Sequence, residues 1–202
     1  MCKHFSVWSL LFVSAICSFT PIAAFGQVVV HDESTDGDLS SGQLAPTQLV
    51  LSPGSNIIRG MTTSDPLDRD FWTFSLPAGQ WLTAVILDAH DTVEDLSFFA
   101  VQEGSEISDI TSSSGLLAAT LVGGSTGAFV GDDVLDNLGD AGLGGMGFTP
   151  PLTAGTYTFW YQEISADTTY QFDFQVVPEP AGNCISILGV LGSLCIVRRQ
   201  IT

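Results

Sequence analysis

The residues best suited to chemistry in this chain are carboxylates. The string His31-Asp32-Glu33-Ser34-Thr35-Asp36-Gly37-Asp38 places four acids within seven residues, and Asp65, Asp68 and Asp70 gather just ahead of an aromatic run. A hard cation takes six to eight oxygens from carboxylates, carbonyls and water, and flexible acidic turns supply them. Glu33, Asp36, Asp38, Asp68 and Asp70 are therefore the candidate ligands, with Ca2+ the candidate ion. Their spacing is not that of an EF-hand loop. Asp and Gly also belong in solvated turns for backbone reasons alone, and both readings stand. A third acidic group, Asp132, Asp133, Asp136 and Asp140 with Asn137, lies in a segment (123–149) holding nine glycines. A solvated loop is the default there.

Other chemistry has less to work with. A hydrolytic triad needs a histidine base; the only histidines after the N-terminal segment are His31 and His90, and neither sits in a nucleophile motif. No His-Glu-x-x-His or phosphate loop occurs. A carboxylate pair could cleave a glycoside, but no pair stands out, so the chain is expected not to be an enzyme. Aromatics on strands are more often core than ligand platforms. In the run 156–162, Tyr157, Phe159 and Tyr161 share one face and Trp160 the other, which places Trp160 or Tyr161 near solvent as a candidate glycan contact.

The composition bounds the partners. The chain has 202 residues, 22 acids against 5 Lys+Arg, and a net charge of −17. Nucleic-acid binding needs basic groups to replace phosphate counterions, so it is not expected. The apolar fraction of 45% is too high for an acidic disordered tail. All four cysteines lie near the ends, at positions 2, 17, 184 and 195, so residues 27–177 carry neither a disulfide nor a thiol nucleophile. That body holds 21 acids against Arg59 and Arg69, and it has no lysine.

The elements that must position these groups read as strands. Tyr170-Gln171-Phe172-Asp173-Phe174-Gln175-Val176 alternates apolar and polar, the pattern of a strand with one wet face. Residues 71–76 put Trp72, Phe74 and Leu76 on one face. The turn Leu76-Pro77-Ala78-Gly79-Gln80 leads to a second strand over 81–87, and the two are expected to form a hairpin. Further strands are expected at 48–51, 56–60, 96–101, 118–122 and 156–162, with one helical turn near 134–138. Short strands at this spacing predict an all-β, antiparallel sandwich of about seven to nine strands.

The two ends read as addresses. Lys3 and His4 precede an apolar run and then Ala23, Ala24 and Gly26, the layout of a secretory signal peptide over 1–26. At the other end Val177-Pro178-Glu179-Pro180 is followed by a mostly apolar stretch, 181–197, and then Arg198-Arg199. Seventeen residues span about 25 Å as a helix, marginal against a hydrocarbon core of about 30 Å. The arginine pair would hold that end in the cytoplasm. Together Val177, Pro178, Glu179, Pro180, the apolar stretch, Arg198 and Arg199 resemble the PEP-CTERM sorting signal of Gram-negative bacteria. The resemblance covers 177–202. It implies an exosortase-type membrane protease as partner, a transient membrane tether, and delivery to the cell envelope or extracellular matrix in an exopolysaccharide setting. It implies no biochemical activity.

The body carries a second resemblance. Asp68-Arg69-Asp70-Phe71-Trp72-Thr73-Phe74-Ser75-Leu76-Pro77-Ala78-Gly79-Gln80, with Pro53-Gly54-Ser55-Asn56 upstream and Gly155-Thr156-Tyr157-Thr158-Phe159-Trp160 downstream, is similar to bacterial pre-peptidase C-terminal domains. The Gly-rich segment departs from that pattern. The resemblance implies a jelly-roll-like β-sandwich with an accessory role, not a catalytic one. It also implies calcium held by N-terminal acids matching Glu33, Asp36 and Asp38. The expectation is thus an exported, non-catalytic structural or adhesive protein with a calcium site, or alternatively a carbohydrate-binding module.

Overall fold

The computed structural model describes residues 26–93, 96–123, 127–139 and 143–180. The expected signal peptide, the apolar segment 181–197, Arg198, Arg199 and Asp140 lie outside the described residues. Among the described residues no helix is long and apolar enough to cross a membrane.

The body is an all-β sandwich of two sheets. One has the order β1-β3-β9-β5, from β1 (Gln27–Asp32), β3 (Gly54–Thr62), β9 (Thr168–Pro178) and β5 (Gln80–Thr92). The other has the order β2-β4-β8-β6-β7, from β2 (Thr47–Gln48), β4 (Asp70–Leu76), β8 (Gly155–Gln162), β6 (Ser97–Glu103) and β7 (Ala118–Val122). Two short α-helices, α1 (Glu33–Asp36) and α2 (Val134–Gly139), and a 3-10 turn at Ser113–Gly115 complete the elements described. Nine strands among the described residues fall within the expected number. The antiparallel expectation needs one correction, because the edge pairs β1–β3 and β2–β4 are parallel. Each is joined through a strand of the opposite sheet, a connection that no tight hairpin turn makes.

The expected hairpin over 71–87 is also corrected. β4 pairs with β8 and β5 pairs with β9, so the turn at 77–79 carries the chain from one sheet to the other. The reason lies in the apolar faces. Trp72, Phe74 and Leu76 on β4, and Leu82, Val85 and Leu87 on β5, are all buried in the same core. Opposed across two sheets they bury each other; side by side in one sheet they would not.

The core between the sheets is aromatic. Trp72 stacks on Phe159 and Phe99, and Phe174 meets both Trp72 and Phe159 edge-on. The strict alternation of β9 delivers Tyr170, Phe172, Phe174 and Val176 to this core. A smaller cluster of Phe71, Ala100, Ile107, Leu116, Ala119 and Trp160 forms beyond it. Because Phe71 and Trp160 alternate with core-facing neighbours, this cluster covers the outer face of the five-stranded sheet. β4 is accordingly buried at six of its seven positions.

The helical turn expected near 134–138 is α2, and Val134, Leu135 and Leu138 are buried. The acids before it serve the backbone. Asp133 Oδ1 accepts the Val85 and Leu135 N–H groups, each at 3.0 Å, and Asp132 Oδ2 accepts the Phe129 N–H.

Candidate functional site

Three of the five expected ligands come together. Carboxylate oxygens of Glu33, Asp38 and Asp70 lie within 4.8 Å of one another. Each arrives on a different stretch of chain. The Asp32 side chain caps α1 by accepting the Ser34 N–H at 3.1 Å. Glu33 therefore opens the helical turn. Gly37 ends it at φ +92°, a region open to glycine without penalty. That reversal sets Asp38 beside Glu33. Asp70 opens β4 and belongs to the opposite sheet from β3, on which Glu33 leans.

Glu33 acts as a clasp as well as a candidate ligand. Its Oε1 accepts the Leu39 N–H at 2.8 Å and its Oε2 accepts the Met61 N–H at 2.6 Å. Asp70 is 0% exposed. Its Oδ2 accepts the Tyr170 hydroxyl at 2.7 Å, while its buried Oδ1 has no hydrogen-bond partner among the described residues. A buried carboxylate with an unpaired oxygen is costly, and a cation is one group that would satisfy it.

The electrostatics agree with the geometry. Burial, reinforced by Glu33, raises the Asp70 carboxyl from its ordinary range to about 9. Burial likewise raises Glu33 to about 7, against the pull of its two backbone donors. Asp68 is pushed upward by burial and by Asp38. Each group resists ionising beside the others, so the pocket favours either protons or a positive ion.

The remaining two expected ligands stand apart from the trio. Asp68 lines the adjoining cavity, and its Oδ1 accepts the Arg69 N–H. Asp36 is turned to its own helix, where Oδ2 accepts the Asp32 N–H at 2.9 Å.

Tyr170 and Gly60 support Asp70, and sequence alone does not mark either as a site residue. They are cross-strand partners, and a Cβ at Gly60 would overlap the Tyr170 phenol. The missing side chain lets the phenol lie across β3 and reach the other sheet. Gly60→Ala is expected to displace Tyr170 and lower stability by about 1–3 kcal/mol. Thermal unfolding checks this, and an unchanged midpoint would refute it.

The expected glycan contacts are corrected. Trp160 is 5% exposed and Tyr161 is 0% exposed. Trp160 packs on Phe71 and Phe98, and Tyr161 lies against Tyr170 with ring centroids 4.0 Å apart. One of the two would face water only in a sheet with a single buried face. Around these two residues the five-stranded sheet is covered on both faces.

His90 has a partner that sequence alone does not reveal. Its Nε2 lies 2.9 Å from Ser97 Oγ, and Ser97 donates to Glu163 Oε2 at 3.3 Å. In a hydrolytic triad the acid holds the far nitrogen of the histidine and the serine meets substrate. Here the acid holds the serine, and Ser97 is 1% exposed.

Of the residues expected to form a sorting motif, those described leave the sandwich along β9. Val177 and Pro178 pair with Trp81 and Gln80, and the Glu179 N–H donates to Gly79 O at 2.7 Å. The body therefore runs one residue beyond the expected boundary at 177. Pro180 is exposed.

Comparison of the chain with protein-family models, with curated proteins and with solved structures finds no match.

Proposed function

We propose that this chain is an exported, non-catalytic protein of the cell envelope or extracellular matrix. Its sandwich body holds Ca2+ at Glu33, Asp38 and Asp70, with a structural or adhesive role. The observation that carries the reading is the buried Asp70 carboxylate, unpaired at Oδ1 beside two further carboxylates. Oxygen-only donors suit a hard ion such as calcium and give no thiolate or imidazole for a softer one. The ion would join α1, its following turn and β4, three segments that meet at one end of the sandwich.

The finer fold reading is jelly-roll-like. The order β3-β9-β5 facing β4-β8-β6-β7 supports it, with α2 beside β5 where a further strand would otherwise lie. This also supports kinship with pre-peptidase C-terminal domains. The tail supports export and processing: Val177, Pro178, Glu179 and Pro180 followed by an apolar stretch and Arg198-Arg199 fit an exosortase-type protease as partner and the membrane as a transient tether.

The test is thermal unfolding with and without millimolar calcium, at matched ionic strength. A ligand that binds only the folded state raises the midpoint by mass action. A rise of several degrees with calcium and none with sodium is expected. Identical curves would remove the calcium reading.

A further inference from the structure

We propose that the cation at Glu33, Asp38 and Asp70 is a bridge to a neutral saccharide, whose vicinal hydroxyls complete the ion's coordination inside the adjoining cavity. The proposal rests on the calcium reading above and adds a ligand to it.

Coordination gives the first argument. Calcium takes six to eight oxygens. Both Glu33 oxygens already accept backbone N–H groups, and one Asp70 oxygen already accepts the Tyr170 hydroxyl. The trio thus offers few uncommitted oxygens, and several coordination positions remain. They open onto a cavity of about 870 Å³ that Glu33, Asp38 and Asp68 line. That volume lies within the range that encloses small ligands.

The cavity wall gives the second argument. Arg59 and Gln171 are a cross-strand pair on the outward face of β3 and β9. Arg59 Nε donates to Gln171 Oε1 at 2.7 Å, and the guanidinium bridges to Asp32 at 3.1 Å. Gln171 Nε2 in turn donates to Asp88. This fixed polar row is able to meet hydroxyl groups. Met61 and Leu67, 47% and 42% exposed, line the same cavity and suit the C–H faces of a sugar ring.

Charge gives the third. Three carboxylates outweigh one divalent ion, Asp68 adds a further negative group, and Arg59 is already paired with Asp32. The cavity keeps a negative balance after the ion binds. An anionic ligand is repelled there, whereas neutral hydroxyls are not.

The experiment is affinity electrophoresis of the full chain in mild detergent, through gels containing mannan, dextran or galactan, with alginate as the anionic comparison. Each gel is run in calcium and in EDTA. Calcium-dependent melting of the same sample, without sugar, is measured alongside. Retardation by at least one neutral polysaccharide in calcium, lost in EDTA, is expected. Arg59→Ala and Gln171→Ala are expected to weaken that retardation at least tenfold while keeping the calcium-induced rise in melting. A calcium-induced rise with no retardation by any of the three neutral polymers overturns the saccharide proposal and leaves the cation reading standing. Retardation by alginate alone, or retardation that persists in EDTA, also overturns it. The absence of any calcium effect on melting overturns both.

Discussion

An Asp70→Asn protein is expected to melt at the same midpoint with and without calcium, while the unaltered protein gains several degrees from the ion. At a calcium concentration about a hundred times the dissociation constant, binding stabilises the folded state by about 2.7 kcal/mol. In a body of this size that corresponds to roughly 5–10 °C. Asparagine keeps an oxygen for the Tyr170 hydroxyl, so the link between the sheets survives. It removes the one carboxylate of the trio that has no exposure to water. In calcium-free buffer the variant is therefore expected to be at least as stable as the parent, because a buried carboxyl with one unpaired oxygen is gone. Differential scanning calorimetry in calcium and in EDTA measures both effects. A variant that gains as much from calcium as the parent would place the ion elsewhere.

The second large effect is a loss of stability with rising pH in the absence of calcium. Glu33 and Asp70 hold their protons in the folded state to about pH 7 and about pH 9, chiefly because of burial. In the unfolded chain they release them near pH 4. Between these limits the folded state carries more protons than the unfolded one, so stability falls as the pH rises. The loss begins above about pH 4 and is complete above about pH 9. A carboxyl that keeps its proton for one further pH unit in the folded state changes stability by about 1.4 kcal/mol over that span. Glu33 is only partly shielded from solvent, so its share is reduced. A total on the order of a few kcal/mol remains, and the midpoint in EDTA is expected to drop by at least about 5 °C from pH 5 to pH 9. Calcium is expected to take the place of the protons and flatten the curve. Asp70→Asn removes the Asp70 share over the whole window and leaves no contribution from this site between pH 7 and pH 9, which separates the site from the general repulsion of an acidic body. A midpoint in EDTA that stays level or climbs over this range would contradict the assignment.

The residues show where sequence is informative and where it stops. Alternation in 170–176 locates β9 and its core face, because β9 obeys the two-residue period; the run at 118–122 coincides with β7 although burial along it does not alternate. β5 does not. Its register shifts between Leu82 and Ala84 and again between Leu87 and Ala89, so Leu82, Val85 and Leu87 reach the core at unequal spacing. β1 gives no clear signal, because its exposed Val28 and Val29 adjoin the expected leader and bury little. The site is legible as acids but not as a constellation. Glu33 and Asp38 are near neighbours in sequence, yet Asp70 joins them only because β4 and β3 face one another. Asp36, from the same acidic string, is spent on the α1 backbone. Trp160 shows the limit of alternation, which states which residues share a face and not whether a loop covers that face.

The exit of the chain along β9 has a mechanical consequence. β9 is an interior strand, paired with β3 over residues 168–176 and with β5 over 168–178. It runs antiparallel to both, so its ladder bonds stand across the strand direction. A molecule held by its C-terminal segment feels any drag as tension at Pro180, directed along this strand. That tension shears the bonds on both sides of β9 together instead of opening them one after another. An attachment at this end would thus load the sandwich in shear, and a rupture would have to displace Phe172 and Phe174 from the aromatic core before the sheet gives way.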